Sequence, residues 1–425
     1  MKRIGIDIGT TTVCISVAGE NNRVLSSAAM KNTSRIGAKN DFESLQDADA
    51  ILEICIRLID SAKTQYPDAV SIGVTGQMHG ILYVDDSGKA VSPLFGWQDG
   101  RGDLPFSRGT YASYVSEACG RPVSTGYGIT THFHNAMNGL VPGNASKICT
   151  VPDYVAMRLC SLSSPVMHPS MAASVGCFDL QRGIFDLTAV ERLGLDAGIL
   201  PEIVSSPAVI GEYCGMSVRC AIGDNQASFL GSGADESSIL VNVGTGAQIC
   251  VAGKGTEING IEIRPYLNGD FITVGASLSG GSAYAMLEKF FSGVAGLAGA
   301  GCESLYSAMD KALEQYGKTP TLKVDTRFCG TRADPSVRGA ITNISPENFT
   351  PEQLMLGFTD GIAEELYSMY EYMPSGQTRL IGSGNGMRRN KALRRSVEKI
   401  FGMTVDLVGN EEEAAYGAAI LQAKE

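Results

Sequence analysis

The chain has 425 residues, 44% hydrophobic and 19% charged, with a formal net charge of -11. That length exceeds one ordinary domain, and the composition is that of a chain able to bury sizeable cores rather than a disordered one. The negative balance, unbroken by any Lys/Arg-rich block, gives no general attraction to nucleic acid or acidic membranes, and no apolar run approaches the roughly 18 residues of a membrane span.

The opening MKRIGIDIGTTTV enters a strand pattern at once. Ile4, Ile6 and Ile8, then Val13, Ile15 and Val17, alternate around a Gly-Thr turn, and VLSSAAM adds a third strand, which makes a β-meander. From Asp47 to Ala62 the apolar residues Ile51, Ile54, Cys55, Leu58, Ile59 and Ala62 recur at helical spacing, ended by Pro67 before the strand SIGVTG. Such alternation is the mark of a layered α/β fold. Near Ser238 the plan restarts, because SILVNVGTGAQICVA repeats strand, Gly-Thr turn and returning strand, and FITVGA follows. The GVAGLAGAG stretch, 293–301, reads as a mobile loop. Thr350, Pro351 and Gln353 form a capping signature for a helix striped by Leu354, Phe358, Ile362, Leu366, Tyr370 and Met373. LIGSGNGMRRN then runs a strand into a glycine turn and a helix through Leu393, Val397 and Ile400, stopped by Gly402. The pattern predicts two related α/β halves, 1–233 and 234–425.

Eleven cysteines, an odd count without a C-x-x-C pair, read as reduced residues of a cytoplasmic protein, and several sit in apolar stretches, such as Cys55, Cys160 and Cys250. His132 and His134 lack cysteine partners nearby and do not make a zinc site.

Chemistry concentrates in the turns. Asp7 closes a strand ahead of Gly9, Thr10, Thr11 and Thr12. Such a turn presents N–H and O–H donors to phosphate oxygens while Asp7 holds Mg²⁺ through water, although an ordinary hairpin has the same composition. Gly244, Thr245 and Gly246 supply a second turn of this kind, and two of them in two similar halves suit a polyphosphate. Gly382, Ser383, Gly384, Asn385 and Gly386 form a third, where glycines let a base and ribose approach the backbone. Neither a Rossmann fingerprint nor a Walker sequence is present.

Asp224, on the turn AIGDNQ between the halves, is the candidate base for phosphoryl transfer to an alcohol, against the alternative of a helix cap. Gln77, Met78 and His79 between glycines, and Trp97, Gln98, Asp99 and Arg101 around the single tryptophan, combine an aromatic plane with directional polar groups. That set suits a polyhydroxylated ligand, and the alternative is a structural Trp beside a surface ion pair.

Taken in order, these segments resemble the FGGY carbohydrate kinases, of the actin-like, ribonuclease H-like ATPase superfamily, over nearly the whole chain. GIDIGTTTV and NVGTGAQ look like the two phosphate motifs, GDNQAS the catalytic-aspartate motif and LIGSGNGMRRN the adenosine motif. VTGQMHG and WQDGR resemble the sugar-contact segments of the xylulokinase and sedoheptulokinase branch, and TGYGITTHF, PDYVAMRLC and MHPSMAASVGCFD look most like sedoheptulokinases. The resemblance implies two ribonuclease H-like domains with an active-site cleft between them. It also implies ATP and Mg²⁺ as cofactors, Asp224 as base, Asp7 as metal contact, and His79, Gln98, Asp99 and Arg101 at the sugar. A small sugar is then the partner, and a homo-oligomer is left open. The implied reaction is phosphorylation of a ketose, foremost sedoheptulose at its terminal hydroxyl, then xylulose, ribulose or another polyol. A non-kinase actin-like ATPase and a sugar-responsive regulator are the alternatives from other classes.

Overall fold

The structure, a computed structural model, describes residues 1–258, 260–301, 303–317, 319–332, 334 and 336–421. It comprises two compact units. The first holds Met1–Gly231 together with Arg264–Asp270 and the chain from Glu412 onward, and the second holds Ser232–Ile263 and Phe271–Glu411. The expected boundary at 233 lies two residues from the observed one, but two later segments return to the first unit.

In the first unit β1 (Lys2–Ile8), β2 (Thr12–Ala18) and β3 (Val24–Lys31) form the expected antiparallel meander. Helix α1 (Ala48–Gln65) starts at Asp47, whose carboxylate accepts from the N–H groups of Asp49 and Ala50. Its face of Ile51, Ile54, Cys55, Leu58 and Ile59 is buried against the sheet, and each such side chain contributes roughly 1.5–3 kcal/mol of transfer free energy. Strand β4 (Ala69–Gly76) then pairs parallel to β1. Further on come α2 (Gly128–Met137), α3 (Val151–Leu159), α4 (Pro169–Val175), β5 (Val209–Tyr213), β6 (Met216–Arg219), β7 (Ile222–Gly223) and α5 (Asp224–Gly231). The sheet order is β5-β6-β4-β1-β2-β3, with β7 parallel to the end of β4.

The second unit repeats this plan. Strands β8 (Ser238–Val243) and β9 (Ala247–Ala252) are antiparallel. After β10 (Glu262–Pro265), β11 (Phe271–Ser277) pairs with β9. Helix α6 (Gly280–Leu297) continues through Gly293 and Gly296, which corrects the reading of 293–297 as loop, while 298–301 lie beyond the helix in a turn and irregular chain. Its first turns are anchored by buried Ala283, Tyr284 and Leu287, and that anchored helix extends over two glycines costing about 1 kcal/mol each. Helix α7 (Pro351–Tyr370) is capped by Thr350, as its signature predicts. Strand β12 (Arg379–Ser383) lies parallel to β8, and α8 (Gly384–Arg389), α9 (Lys391–Phe401) and β13 (Val405–Leu407) follow.

The last helix, α10 (Glu413–Ile420), belongs to the first unit and lies against its sheet backbone to backbone. A Cβ on Gly73 of β4 would come within 1.9 Å of the Ala418 carbonyl oxygen, so only glycine admits the helix there. Among the described residues no helix is long and apolar enough to cross a membrane, and the described cysteines are free thiols.

Candidate active site

Two loops and a helix of the first unit leave the carboxyl ends of β1, β4 and β7, which run parallel with β4 between the other two, Ile222 opposite Thr75 and Thr75 opposite Asp7. Carboxyl ends of parallel strands are where α/β sheets present ligand-binding loops. The first loop is the 9–12 turn, closed by Gly9 N–H donating to Thr12 O at 3.0 Å. Asn32 Nδ2 donates to Gly9 O at 2.9 Å and braces the turn from β3's end. Thr10 accepts at Oγ1 from Trp97 Nε1 at 3.1 Å and at its carbonyl from Gln46 Nε2 at 3.3 Å. Gln77 Nε2 in turn donates to Gln46 Oε1 at 3.0 Å. One side-chain network therefore joins the turn proposed for phosphate to both segments proposed for sugar.

Of those segments, Trp97 and Gln98 are exposed, Gln77 and Met78 are buried, and Asp99 and Arg101 are deeply buried. Arg101 clamps Asp99 through Nε at 2.6 Å and Nη2 at 3.2 Å, gives Nη1 to Asn135 Oδ1 at 2.6 Å, and lies over the Phe95 ring. Asp99 also accepts from Ser44 N–H at 3.0 Å. The pair is thus committed to holding the Trp97–Gln98 loop, and its hydrogen bonds run within the protein. His79 has φ +74, the left-handed region a bulky residue rarely occupies. It is held there by Ser174, whose hydroxyl accepts from His79 N–H at 3.1 Å and whose carbonyl takes Nδ1 at 2.9 Å, and by the Tyr127 ring at 4.4 Å.

Asp224 opens α5 directly after β7. Burial raises its pKa, while Arg264 and the N–H of Asn225 pull it down. Asp7 is pushed up to about 7, chiefly by burial, then by the negative charges of Asp224 and Glu412. Two other carboxylates of the first unit, Asp224 and Glu412, therefore lie within electrostatic reach of Asp7. The three come from the start, the middle and the end of the chain. Among the described residues no three such groups are close enough to chelate a metal directly.

In the second unit the 244–246 turn joins β8 to β9, with Gly244 N–H donating to Gly246 O at 2.9 Å. Its outer carbonyls accept from the first turn of α6: Gly281 N–H reaches Gly244 O and Ser282 N–H reaches Thr245 O, each at 2.9 Å. On the neighbouring strand, Ser383 accepts from Asn242 Nδ2 at 2.7 Å. Gly384, at φ +80, passes so near Val243 that a Cβ would meet its carbonyl at 2.5 Å. Asn385 is exposed. The two turns thus share the carboxyl edge of parallel β8 and β12.

Residues 3–241 match the N-terminal domain of the FGGY family of carbohydrate kinases and residues 259–425 match its C-terminal domain. The chain belongs to this family. Two sedoheptulokinases, from Mus musculus and Homo sapiens, are each 28% identical to it over 98% of the chain and 96% of their own length. A xylulose kinase of Staphylococcus xylosus is 22% identical over 99% of the chain and 90% of its length. The fold is that of the crystallised xylulose kinase of Rhodospirillum rubrum, with a TM-score of 0.84 at 20% identity over 99% of this chain and 88% of that one. As an FGGY kinase the protein is an enzyme that uses ATP to phosphorylate a sugar.

Four polar residues around this candidate site escaped the sequence reading: Glu412, Arg264, Asn32 and Gln46. Glu412 sits in an acidic run and Arg264 beside a proline, neither a recognisable pattern; only the return of both segments to the first unit brings them in. Asn32 and Gln46 act on main-chain carbonyls, which leaves no signature in sequence.

Proposed function

We propose that the chain transfers the terminal phosphoryl group of ATP to the terminal primary hydroxyl of a ketose, with Asp224 as general base and the seven-carbon sedoheptulose as the foremost substrate. The observation that carries the reading is the placement of Asp224 at the end of β7, one strand away from Asp7 and the hydroxyl-rich 9–12 turn. The acceptor hydroxyl gives its proton to the Asp224 carboxylate, the oxygen bonds to the terminal phosphorus, and the bond to the bridging oxygen breaks, releasing ADP. Arg264 and the N–H of Asn225 oppose the upward push that burial exerts on the Asp224 carboxyl.

The 9–12 and 244–246 turns suit the phosphates and the 382–386 turn suits adenosine. Asp7, pushed up to about 7 by burial and then by the charges of Asp224 and Glu412, is a carboxyl that a divalent cation would draw back to its ionised form, and it would hold that ion through water. Bound with the nucleotide, the ion supplies neutralisation of phosphate charge. Free thiols suit a cytoplasmic enzyme.

The heptulose is supported by the two 28%-identical sedoheptulokinases, and pentuloses by the xylulose kinases at 22% and 24%. A site built for additional hydroxyls leaves its own polar groups unpaired when a shorter ketose binds. Kinetics on sedoheptulose, xylulose and ribulose, reading ADP release, decide between them. The heptulose should lead in kcat/KM, and His79→Ala or Gln98→Ala should erode that lead. A pentulose better by about tenfold, or about 1.4 kcal/mol of transition-state binding, reverses the substrate assignment and leaves the kinase assignment standing.

A further inference from the structure

Helix α4 carries two serines one turn apart, and each holds a different piece of the candidate site. Ser170 and Ser174, spaced i and i+4, lie on one face of the helix about 6 Å apart along its axis. Both are buried, and Met171, Ala172 and Val175 between and beside them are fully buried in the apolar cluster beneath. The helix is therefore packed into that cluster along its apolar face.

At its first turn, Ser170 Oγ accepts from Gly223 N–H at 3.1 Å. Gly223 is the residue before Asp224, and its turn is held from the other side by Thr75 Oγ1, which donates to Ile222 O at 2.8 Å. The direction of the Ser170 hydroxyl follows from its neighbour. His168 caps α4 by accepting from Ser170 N–H at Nδ1, 3.1 Å away. A backbone N–H can only donate, so Nδ1 carries the lone pair and the ring proton sits on Nε2. The Ser170 O–H then donates to the same Nδ1 at 2.8 Å, which leaves its oxygen lone pairs for Gly223. Burial holds the His168 imidazole neutral, with its pKa lowered to about 4, so this arrangement persists across the working range. The cost is a buried His168 Nε2–H without a hydrogen-bond partner among the described residues, which an Asn or Ser cap would not incur.

At its last turn, Ser174 holds His79 in the left-handed backbone conformation by two hydrogen bonds. The Ser174 carbonyl can only accept, so His79 Nδ1 carries the proton and Nε2 is an acceptor, the form that takes a hydrogen bond from a sugar hydroxyl.

We propose that α4 is the positioning element of the site: through Ser170 it fixes the turn that presents Asp224, and through Ser174 it fixes His79, so that one helical turn sets the spacing between base and acceptor sugar. Ser170, His168 and Ser174 are positioning residues acting through Asp224 and His79. The inference rests on the reading of Asp224 as base and His79 as a sugar contact.

The test is a split in kinetic constants on the full chain with a ketose and Mg-ATP. Ser170→Ala should lower kcat by about tenfold or more and change the sugar KM by less than about twofold, and Ser170→Thr, which keeps the hydroxyl, should restore most of the rate. Ser174→Ala should do the reverse, raising the sugar KM by about tenfold with kcat within about threefold of the parent. Melting temperatures are recorded for all three. The proposal is overturned if Ser170→Ala keeps its kcat within about twofold, or if both alanine variants lose kcat and KM in parallel with their melting temperatures. Asp224→Asn run beside them separates the two failures: full turnover there removes Asp224 as base, whereas an inactive Asp224→Asn with an unsplit serine pair removes only the role of α4.

Discussion

The carboxyl edge of the first unit's sheet is acidic: Asp7 ends β1, Asp224 follows β7, and Glu412 stands within electrostatic reach of Asp7. The matching edge of the second unit, built on the same topology, carries Asn242, Ser383 and two glycine turns and has no carboxylate between 242–247 or 382–386. The bracing differs as well. Side chains of Asn32, Gln46 and Trp97 hold the 9–12 turn, whereas main-chain N–H groups of Gly281 and Ser282 hold the 244–246 turn. One edge thus carries ionisable groups beside its hydroxyl-rich turn and its repeat carries neutral turns alone, so under the proposed function proton transfer and the metal contact fall to the first unit while both units offer a phosphate-binding turn.

If that division holds, the largest effect belongs to the acidic edge. Asp224→Asn keeps shape and removes the proton acceptor, so kcat should fall by about 10²–10⁴, the usual contribution of a general base. Nucleotide affinity, read by titration with a non-hydrolysable ATP analogue, should stay near that of the parent. Near-native turnover would break the comparison at its centre.

The neutral edge is best probed where structure and ligand separate. Among the described residues a Cβ on Gly244 meets nothing within 4 Å, whereas one on Gly246 would press to 2.8 Å from the Ser277 carbonyl oxygen. Gly244→Ala should therefore leave the melting temperature unchanged and still raise the KM for ATP by about fivefold to tenfold through the donors it crowds. Gly246→Val should lower stability and ATP affinity together. An unchanged ATP dependence in Gly244→Ala would place the phosphates elsewhere.

A smaller effect sharpens the electrostatics of the acidic edge. Arg264 opposes the upward push of burial on Asp224, so Arg264→Met should raise the pKa of the base further. Since the base works ionised, the acidic limb of the kcat/KM profile should move to higher pH, with more activity lost at about pH 6 than at about pH 8.5. A uniform loss across the profile would show that Arg264 acts on binding instead.

Local pattern carried the strands, the turns and the caps, because each is written in neighbouring residues: Asp47 and Thr350 cap the helices their spacing predicts, and the Gly-Thr hairpin recurs in both halves. The candidate segments share one edge, since Asp7 at the end of β1, the 9–12 turn, the Gln77–His79 segment and Asp224 lie at the ends of strands whose pairing sets them side by side. What stayed hidden was long-range return. Nothing near Glu412 signals that α10 closes on the first unit against Gly73, and nothing near Arg264 signals its field at Asp224. The roles of Asp99 and Arg101 were hidden for another reason. Sequence shows a polar pair beside a tryptophan, and only the buried bidentate geometry shows that they hold each other.

The smallest prediction asks whether a strongly shifted carboxyl on this scaffold always marks the site. Asp153, at the start of α3, is pushed up to about 7 like Asp7, but here burial alone does the raising, against hydrogen bonds from Thr150 that lower it. Its Oδ2 accepts from the Thr150 hydroxyl at 2.6 Å and its Oδ1 has no partner among the described residues. A folded-state value above the ordinary 3.8 means that folding favours the proton. The destabilising ionisation is therefore absent at low pH, grows as pH rises between those two values and is complete above about 7. A shift of that size corresponds to on the order of 4 kcal/mol at most. Asp153→Asn removes the ionisation and keeps an acceptor for Thr150, but it buries an amide N–H₂ whose missing partners cost about 1–3 kcal/mol. The variant should therefore melt below the parent at about pH 5 and level with or a few degrees above it at about pH 8, with unaltered sugar kinetics. Asp7 titrates identically in both proteins and drops out of the difference. A pH-independent gap in melting temperature would mean that Asp153 folds ionised. A loss of kcat without a loss of stability would move Asp153 onto the acidic edge with Asp7 and Asp224.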